Sequence, residues 1–299
     1  MLPHAPATGT PVSVGRHLGM WHDLLQAQPV HRWVEVQGIR TRVLEAGAGA
    51  PLVFVHGTGG HLEAYSRNLA ELAHHFRVIA YDMVGHGYSD KPDRPYTTDY
   101  LAAHLVGLLD TLELSCAHIS GESLGGWVAA WAAAHHPERV DRLILNTPGN
   151  ILNKPEVMER VRDSSLAAVR NPTHEGVRAR VEWLFHDPSF VTDELVEVRR
   201  QIYTQPGFER AMENIVALQD WKIREPFAWR PEWCARIAAP TLLLWTDHDP
   251  TGGLDEADLL KQWIPDSRLV VIEGAGHWPQ WEKPDEFNRL HIDFLKEAL

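Results

Sequence analysis

Gly121-Glu122-Ser123-Leu124-Gly125 is the stretch from which the fold of this 299-residue chain is read. Residues 117–120, just before it, read as a short strand. Just after it, Leu124, Trp127, Val128, Trp131 and Ala132 fall on one face of a helix that Pro137 stops. A G-x-S-x-G pentapeptide between a strand and a helix is a nucleophile elbow. Its glycines stand where backbone approaches too closely for a Cβ, and its serine projects above the sheet at a helix N-terminus. Chance gives roughly 0.1 such match in a chain this long. The flanking strand and helix separate Ser123 from a serine that merely caps a helix.

Working outward, residues 52–55, 77–81, 142–145, 241–245 and 269–272 are further short apolar runs. Such runs suit strands covered on both faces. Helical patterns lie between them, as over 98–114, where Leu101, Leu105, Leu108, Leu109 and Leu112 make one stripe. This alternation predicts βαβ units: an α/β fold with a mostly parallel sheet and helices on both faces. Two strands at 31–36 and 39–44, joined by the tight turn Gln37-Gly38, precede it. A short helix is expected over 19–28, and residues 1–14, rich in Pro, Thr and Gly, read as loose. The alternation breaks near Thr147, and only helical patterns run from 148 to 231. The expected organisation is an N-terminal extension (1–30), a first core part (31–147), a helical lid (148–231) and a second core part (232–299). The last helix opens at Pro284 beside Asp285 and Glu286, acids suited to a helix start.

Composition narrows the function. Lys plus Arg is 28 and Asp plus Glu is 40, a formal charge of −12. Without basic blocks, such a chain is not expected to bind nucleic acid or an anionic membrane. No run of about 18 apolar residues spans a bilayer, and the N-terminus lacks a signal-peptide pattern. Two cysteines, Cys116 and Cys234, exclude a disulfide framework and suit a cytoplasmic protein. No phosphate-binding or dinucleotide fingerprint occurs, and no H-E-x-x-H; the pairs His74-His75 and His135-His136 diverge on a helix. No metal or cofactor is therefore expected. The expected partner is a small-molecule substrate, with homo-oligomerisation left open. Twelve Trp are available to line a pocket or fill the core.

A serine nucleophile needs a base, and the base needs an orienting acid. In this fold the order is Ser, acid, His. His277 lies in Gly274-Ala275-Gly276-His277-Trp278, a glycine-flanked loop after the strand at 269–272. His186 sits in the helical insert, His291 inside the last helix, and His248 between two acids, so His277 fits best. The acid follows the strand at 241–245, leaving Asp247 or Asp249. An oxyanion hole needs two backbone N–H groups. Leu124 supplies one, and Thr58 or Gly59 in the loop His56-Gly57-Thr58-Gly59-Gly60 the other. Gly57 and Gly59 let backbone approach a bound carbonyl.

Three stretches carry a family resemblance. Gly276-His277-Trp278-Pro279-Gln280-Trp281-Glu282, followed by Asp285-Glu286-Phe287-Asn288-Arg289-Leu290, is the most specific. The second is Val191-Thr192-Asp193-Glu194-Leu195 with Arg199 and Gln205-Pro206-Gly207-Phe208. The third, shared more widely, is Asp82-Met83-Val84-Gly85-His86-Gly87-Tyr88-Ser89-Asp90. On these the chain resembles the α/β-hydrolase superfamily over nearly its whole length. More narrowly it resembles the meta-cleavage-product hydrolases, which break a carbon–carbon bond in ring-fission products of aromatic degradation.

The resemblance implies that the acid lies four residues after the strand-end Trp245, at Asp249. It implies that Arg199 grips a substrate carboxylate, where the alternative is a solvated helix charge, and that Trp278 lines the pocket. It further implies ketonisation of a 2-hydroxy-6-oxo-dienoate before attack on the distal carbonyl. Ester or lactone hydrolysis is the alternative chemistry, and a non-catalytic receptor the alternative class. The chain also departs from the family. Glu122 stands where the family has Asn, the family's H-G-x-G-P-G becomes His56-Gly57-Thr58-Gly59-Gly60 without the Pro, and Arg67 aligns with a family Asn, with Asn68 one residue on. As a carboxylate, Glu122 accepts but cannot donate. Burial would keep it protonated and able to donate; otherwise it turns into the helix or pairs with Arg67 and the substrate is neutral, and this second alternative is the reading preferred from sequence.

Overall fold

The computed structural model describes residues 19–297; the stretch 1–14 expected to be loose lies outside them. Eight strands form one sheet: β1 Val30–Val36, β2 Ile39–Ala46, β3 Pro51–Val55, β4 Arg77–Tyr81, β5 Ala117–Glu122, β6 Val140–Asn146, β7 Thr241–Thr246 and β8 Ser267–Ile272. Their order is β1-β2-β4-β3-β5-β6-β7-β8. β1 pairs antiparallel with β2, and β2 with β4; the remaining pairings are parallel. The Gln37-Gly38 turn has φ of 51° and 81°, the doubly left-handed backbone that joins two twisted strands through two residues.

Helices α1 Met20–Ala27, α2 Ser66–Ala73, α3 Thr98–Thr111 and α4 Leu124–His135 come from the first part of the chain. The second part adds α10 Pro231–Cys234, α11 Leu254–Trp263, α12 Pro279–Glu282 and α13 Pro284–Lys296. α1, α2 and α13 pack as one group, α3 and α4 as another. On β3, Phe54 turns toward the first group, with ring centroids 4.4 Å from Tyr65 and 6.4 Å from Phe287. Each such fully buried ring contributes roughly 1.5–3 kcal/mol. α3 ends three residues before the predicted Leu114. Glu113 takes a left-handed φ of 57°, and Leu114 N–H closes back on Leu109 O at 2.9 Å, a capping turn that satisfies the last carbonyls.

Between β6 and β7 the chain is helical: α5 Pro155–Arg170, α6 His174–Glu182, α7 Asp193–Tyr203, α8 Phe208–Ile215 and α9 Trp221–Arg224. It is tied to the loops at the C-terminal ends of the strands. Tyr96 N–H donates to Asn214 O at 3.1 Å, Trp229 Nε1 to Gly149 O at 3.1 Å, and His277 N–H to Leu184 O at 2.7 Å. Most Trp side chains fill core, with Trp127, Trp245 and Trp281 fully buried. No helix among the described residues is long and apolar enough to cross a membrane.

Candidate active site

β5 runs straight into the elbow. Ser123 has φ 54° and ψ −119°, a sparsely populated backbone for a residue with a side chain. The flanking glycines make it feasible: a Cβ on Gly121 would strike Gly125 O, and one on Gly125 would strike Val55 O. Ser123 N–H donates to Asn146 O at 3.1 Å, which pins the turn to β6.

His277 leaves the loop after β8. Glu282 holds that loop by accepting Gly276 N–H at 2.7 Å and His186 N–H at 3.0 Å. The imidazole Nδ1 lies 3.0 and 2.9 Å from the two carboxylate oxygens of Asp249. Thr251 N–H and Thr251 Oγ1 each donate to Asp249 Oδ1 at 2.8 Å and fix that carboxylate. Asp247 does something else: it accepts Gly274 N–H at 2.8 Å. The two acids that spacing left open are thus separated by geometry. Of the other histidines, His291 meets Ser120 Oγ at 2.9 Å in the core, and His186 stacks on His248. Burial works against an imidazolium at His277, but the charges of Asp249 and Glu122 outweigh it and raise its pKa.

Glu122 is 2% exposed. Its Oε1 stands 3.3 Å from His277 Nε2, and its carboxyl accepts Gly57 N–H. Burial pushes its pKa up to about 7, against the pull of His277, Gly57 and Arg199. The preference for a Glu122 turned into the helix or paired with Arg67 is therefore overturned. Arg67 is occupied elsewhere: it donates to Trp281 O at 2.6 Å and lies 4.1 Å over the Trp281 ring. Asn68 bonds Gln280 O and Asn288 Oδ1. With that region satisfied, Glu122 follows the strand end into the site.

Gly57, Thr58, Glu122, Ser123, Arg199, His277 and Trp278 line one cavity. Gly59, expected there, is turned away. At φ 63° it faces Met212, and its carbonyl accepts Tyr203 Oη at 3.4 Å; Gly60 takes the place on the wall. Leu124 opens α4 directly behind Ser123, with its N–H in the orphan first turn of a helix. Arg199 is no solvated charge. It is 1% exposed, its guanidinium carbon sits 5.2 Å from the Trp278 ring centroid, and Nε, Nη1 and Nη2 have no hydrogen-bond partner.

Sequence reading missed Thr251, whose spacing of two after Asp249 is an Asx-turn signal. It also missed Arg180, Asn150, Gln219 and the ion pair of Lys154 with Glu256 at 2.5 Å, all on the cavity wall. Helical periodicity places Arg180 near Val177 and Leu184, a weak signal for a charge that faces inward.

A strained serine elbow, a carboxylate-held histidine and a covering helical insert on a mostly parallel sheet define the class of α/β-fold hydrolases. The family model described as alpha/beta hydrolase fold matches residues 50–284, and the chain belongs to that family. It is 34% identical to the 2-hydroxymuconate semialdehyde hydrolase of Pseudomonas sp. (strain CF600), covering 90% of this chain and 95% of that protein. It is also 34% identical to the 2-hydroxy-6-oxo-2,4-heptadienoate hydrolase of Pseudomonas putida, covering 89% and 96%. Among solved structures, the meta-cleavage product hydrolase of Pseudomonas fluorescens IP01 superposes with a TM-score of 0.79 at 30% identity, covering 90% of this chain and 98% of that one.

Proposed function

We propose that this hydrolase cleaves a carbon–carbon bond in a 2-hydroxy-6-oxo-dienoate, the product of aromatic ring fission. The observation that carries this reading is Arg199: a buried guanidinium with no partner beside the Ser123 elbow. A neutral ester gives such a group only an uncharged carbonyl acceptor, whereas a dienoate carboxylate gives it a charge-assisted, bidentate one.

In this reading the substrate first ketonises. The proton of its 2-hydroxyl is lost and C5 gains one, leaving a tetrahedral C5 beside the C6 carbonyl. Ser123, or a water it orients, adds to C6 with His277 as general base and Asp249 holding the imidazole. The N–H groups of Thr58 and Leu124 receive the oxyanion. The C5–C6 bond then breaks with its electron pair passing to C5, where the adjacent vinylogous keto group delocalises it as an enolate. Protonation releases a 2-hydroxydienoate. Where water added, the C6 fragment leaves directly as a carboxylic acid; where Ser123 added, it remains as an acyl-serine, and water activated by His277 displaces Ser123 Oγ, which regains its proton, to release the acid. A cytoplasmic setting belongs to this reading, supported by the two free thiols.

The test is a panel of ring-fission dienoates against simple aryl esters, followed by absorbance, together with labelling by a fluorophosphonate. Higher kcat/KM on the dienoates is the expected result. Ester turnover alone would replace this reading with an esterase, and failure to label or turn over either would remove the enzymatic one.

A further inference from the structure

We infer that Arg180 anchors a second acidic group, carried by the substituent on the distal carbonyl, so that the preferred substrate is a dicarboxylate. This rests on the function proposed above. Arg180 comes from α6, neighbour to the α7 that carries Arg199, and is 4% exposed. Its Nε donates to Ser165 Oγ at 3.1 Å, and its Nη1 is buried without a partner. A guanidinium does not shed its proton under ordinary conditions, so burial cannot neutralise it. Buried charges are retained where something of opposite charge meets them.

No carboxylate of the cavity wall forms an ion pair with it: the charge of Glu122 reaches Arg180, but that carboxyl is committed to Gly57 N–H and His277 Nε2, and Glu256 is committed to Lys154. The two arginines, close enough to feel each other's charge, have different ring neighbours and tethers. Arg199 lies near Trp278 and Tyr203. Arg180 is tethered to α5, whose Val157 and Val161 line the cavity, and lies 5.6 Å from the Trp183 ring. With Arg199 given to the dienoate carboxylate, Arg180 is left for the other end. An alkyl or phenyl substituent there would desolvate Nη1 and offer it no acceptor.

The experiment compares two 2-hydroxy-6-oxo-dienoates that differ in the C6 substituent, 3-carboxypropyl or butyl. The wild type should favour the carboxypropyl compound at least tenfold in kcat/KM. Arg180→Met, which keeps length and loses charge, should cut that compound at least tenfold and leave the butyl compound within twofold. A wild type that favours butyl, or a variant that slows both alike, would overturn the inference. The latter would mean that both arginines share one carboxylate or that Arg180 only holds the lid. Should Arg180→Met not fold, the wild-type preference decides alone. Should neither dienoate turn over, the proposed function fails separately, and calorimetry with the product acids decides for Arg180. Tighter binding of glutarate than of pentanoate, lost in the variant, supports it; equal binding overturns it.

Discussion

Glu122→Gln removes the proton that the site holds on a fully buried carboxyl while keeping nearly the same shape. Burial raises that carboxyl from an ordinary 4.5 to about 7. A raised folded-state pKa in an acid means that the folded chain holds the proton more tightly than the unfolded chain. Below 4.5 both are protonated and nothing is lost. Between 4.5 and about 7 the unfolded chain ionises first, and stability falls as pH rises. Above about 7 the full cost is present, on the order of 3 kcal/mol at about 1.4 kcal/mol per tenfold change in proton affinity. The pull of His277 Nε2, 3.3 Å away, is already contained in that value, so ~3 kcal/mol is the net cost. Thermal melting of wild type and variant at pH 4 and pH 8.5 measures it. Melting temperatures should nearly agree at pH 4, and the variant should gain about 5 °C at pH 8.5. The same substitution also removes one of the charges that raise the His277 pKa. The acid limb of kcat/KM should therefore move to lower pH, because a less basic imidazole is neutral over a wider range. A melting difference that does not vary with pH, or an acid limb that stays in place, would refute the reasoning.

Ser123→Ala and His277→Ala should each lower kcat by at least about a hundredfold, since the groups act as a unit. Asp249→Asn should be far more damaging than Asp247→Asn; equal loss would reassign the acid. Arg199→Ala should weaken carboxylated substrates by roughly 1.5–3 kcal/mol in kcat/KM and leave neutral esters nearly unchanged, and indifference to the carboxylate would end its assigned role. Gly125→Ala drives a Cβ into the Val55 carbonyl, a clash of main chain rather than of a movable side chain. Unfolding in urea should show about 3 kcal/mol lost or no folded protein; a change under 1 kcal/mol would show that the elbow relaxes.

The elbow, the strand and helix alternation and the helical insert were legible because each rests on local rules. A period of two or 3.6, a proline stop or a glycine where no Cβ fits is written within a few residues. Element ends moved where pairing across the sheet extended them: β6 runs from Val140 to Asn146, beyond the expected 142–145, because β5 pairs with it from Val140 to Asn146 and β7 along Leu143–Asn146. Side-chain destinations at the site were harder. Asp247 and Asp249 lie two apart on one loop, and the turn at Thr251 and the reach of His277 separate them.

What the chain by itself determined is the scaffold, with Ser123 at its elbow and His277 on the loop after β8, because a strand-turn-helix with obligatory glycines can be recognised without knowing its neighbours. Whether a charge faces water or the cavity was decided only in three dimensions. Arg178 and Arg180 are two residues apart on α6, yet Arg178 bonds Val191 O at 2.8 Å and pairs with Asp193, while Arg180 is buried at the cavity. Arg199 and Arg200 are adjacent on α7, and Arg200 pairs with Glu197 at 2.7 Å while Arg199 has no partner. Each step along a helix turns a side chain by about 100°, so neighbours in sequence point apart. The packing of the insert against Ser123 and His277 chooses which of them lines the cavity. Glu122 is the same case on a strand: its carboxyl came to His277 because β5 ends there, a position set by the sheet and invisible along the chain.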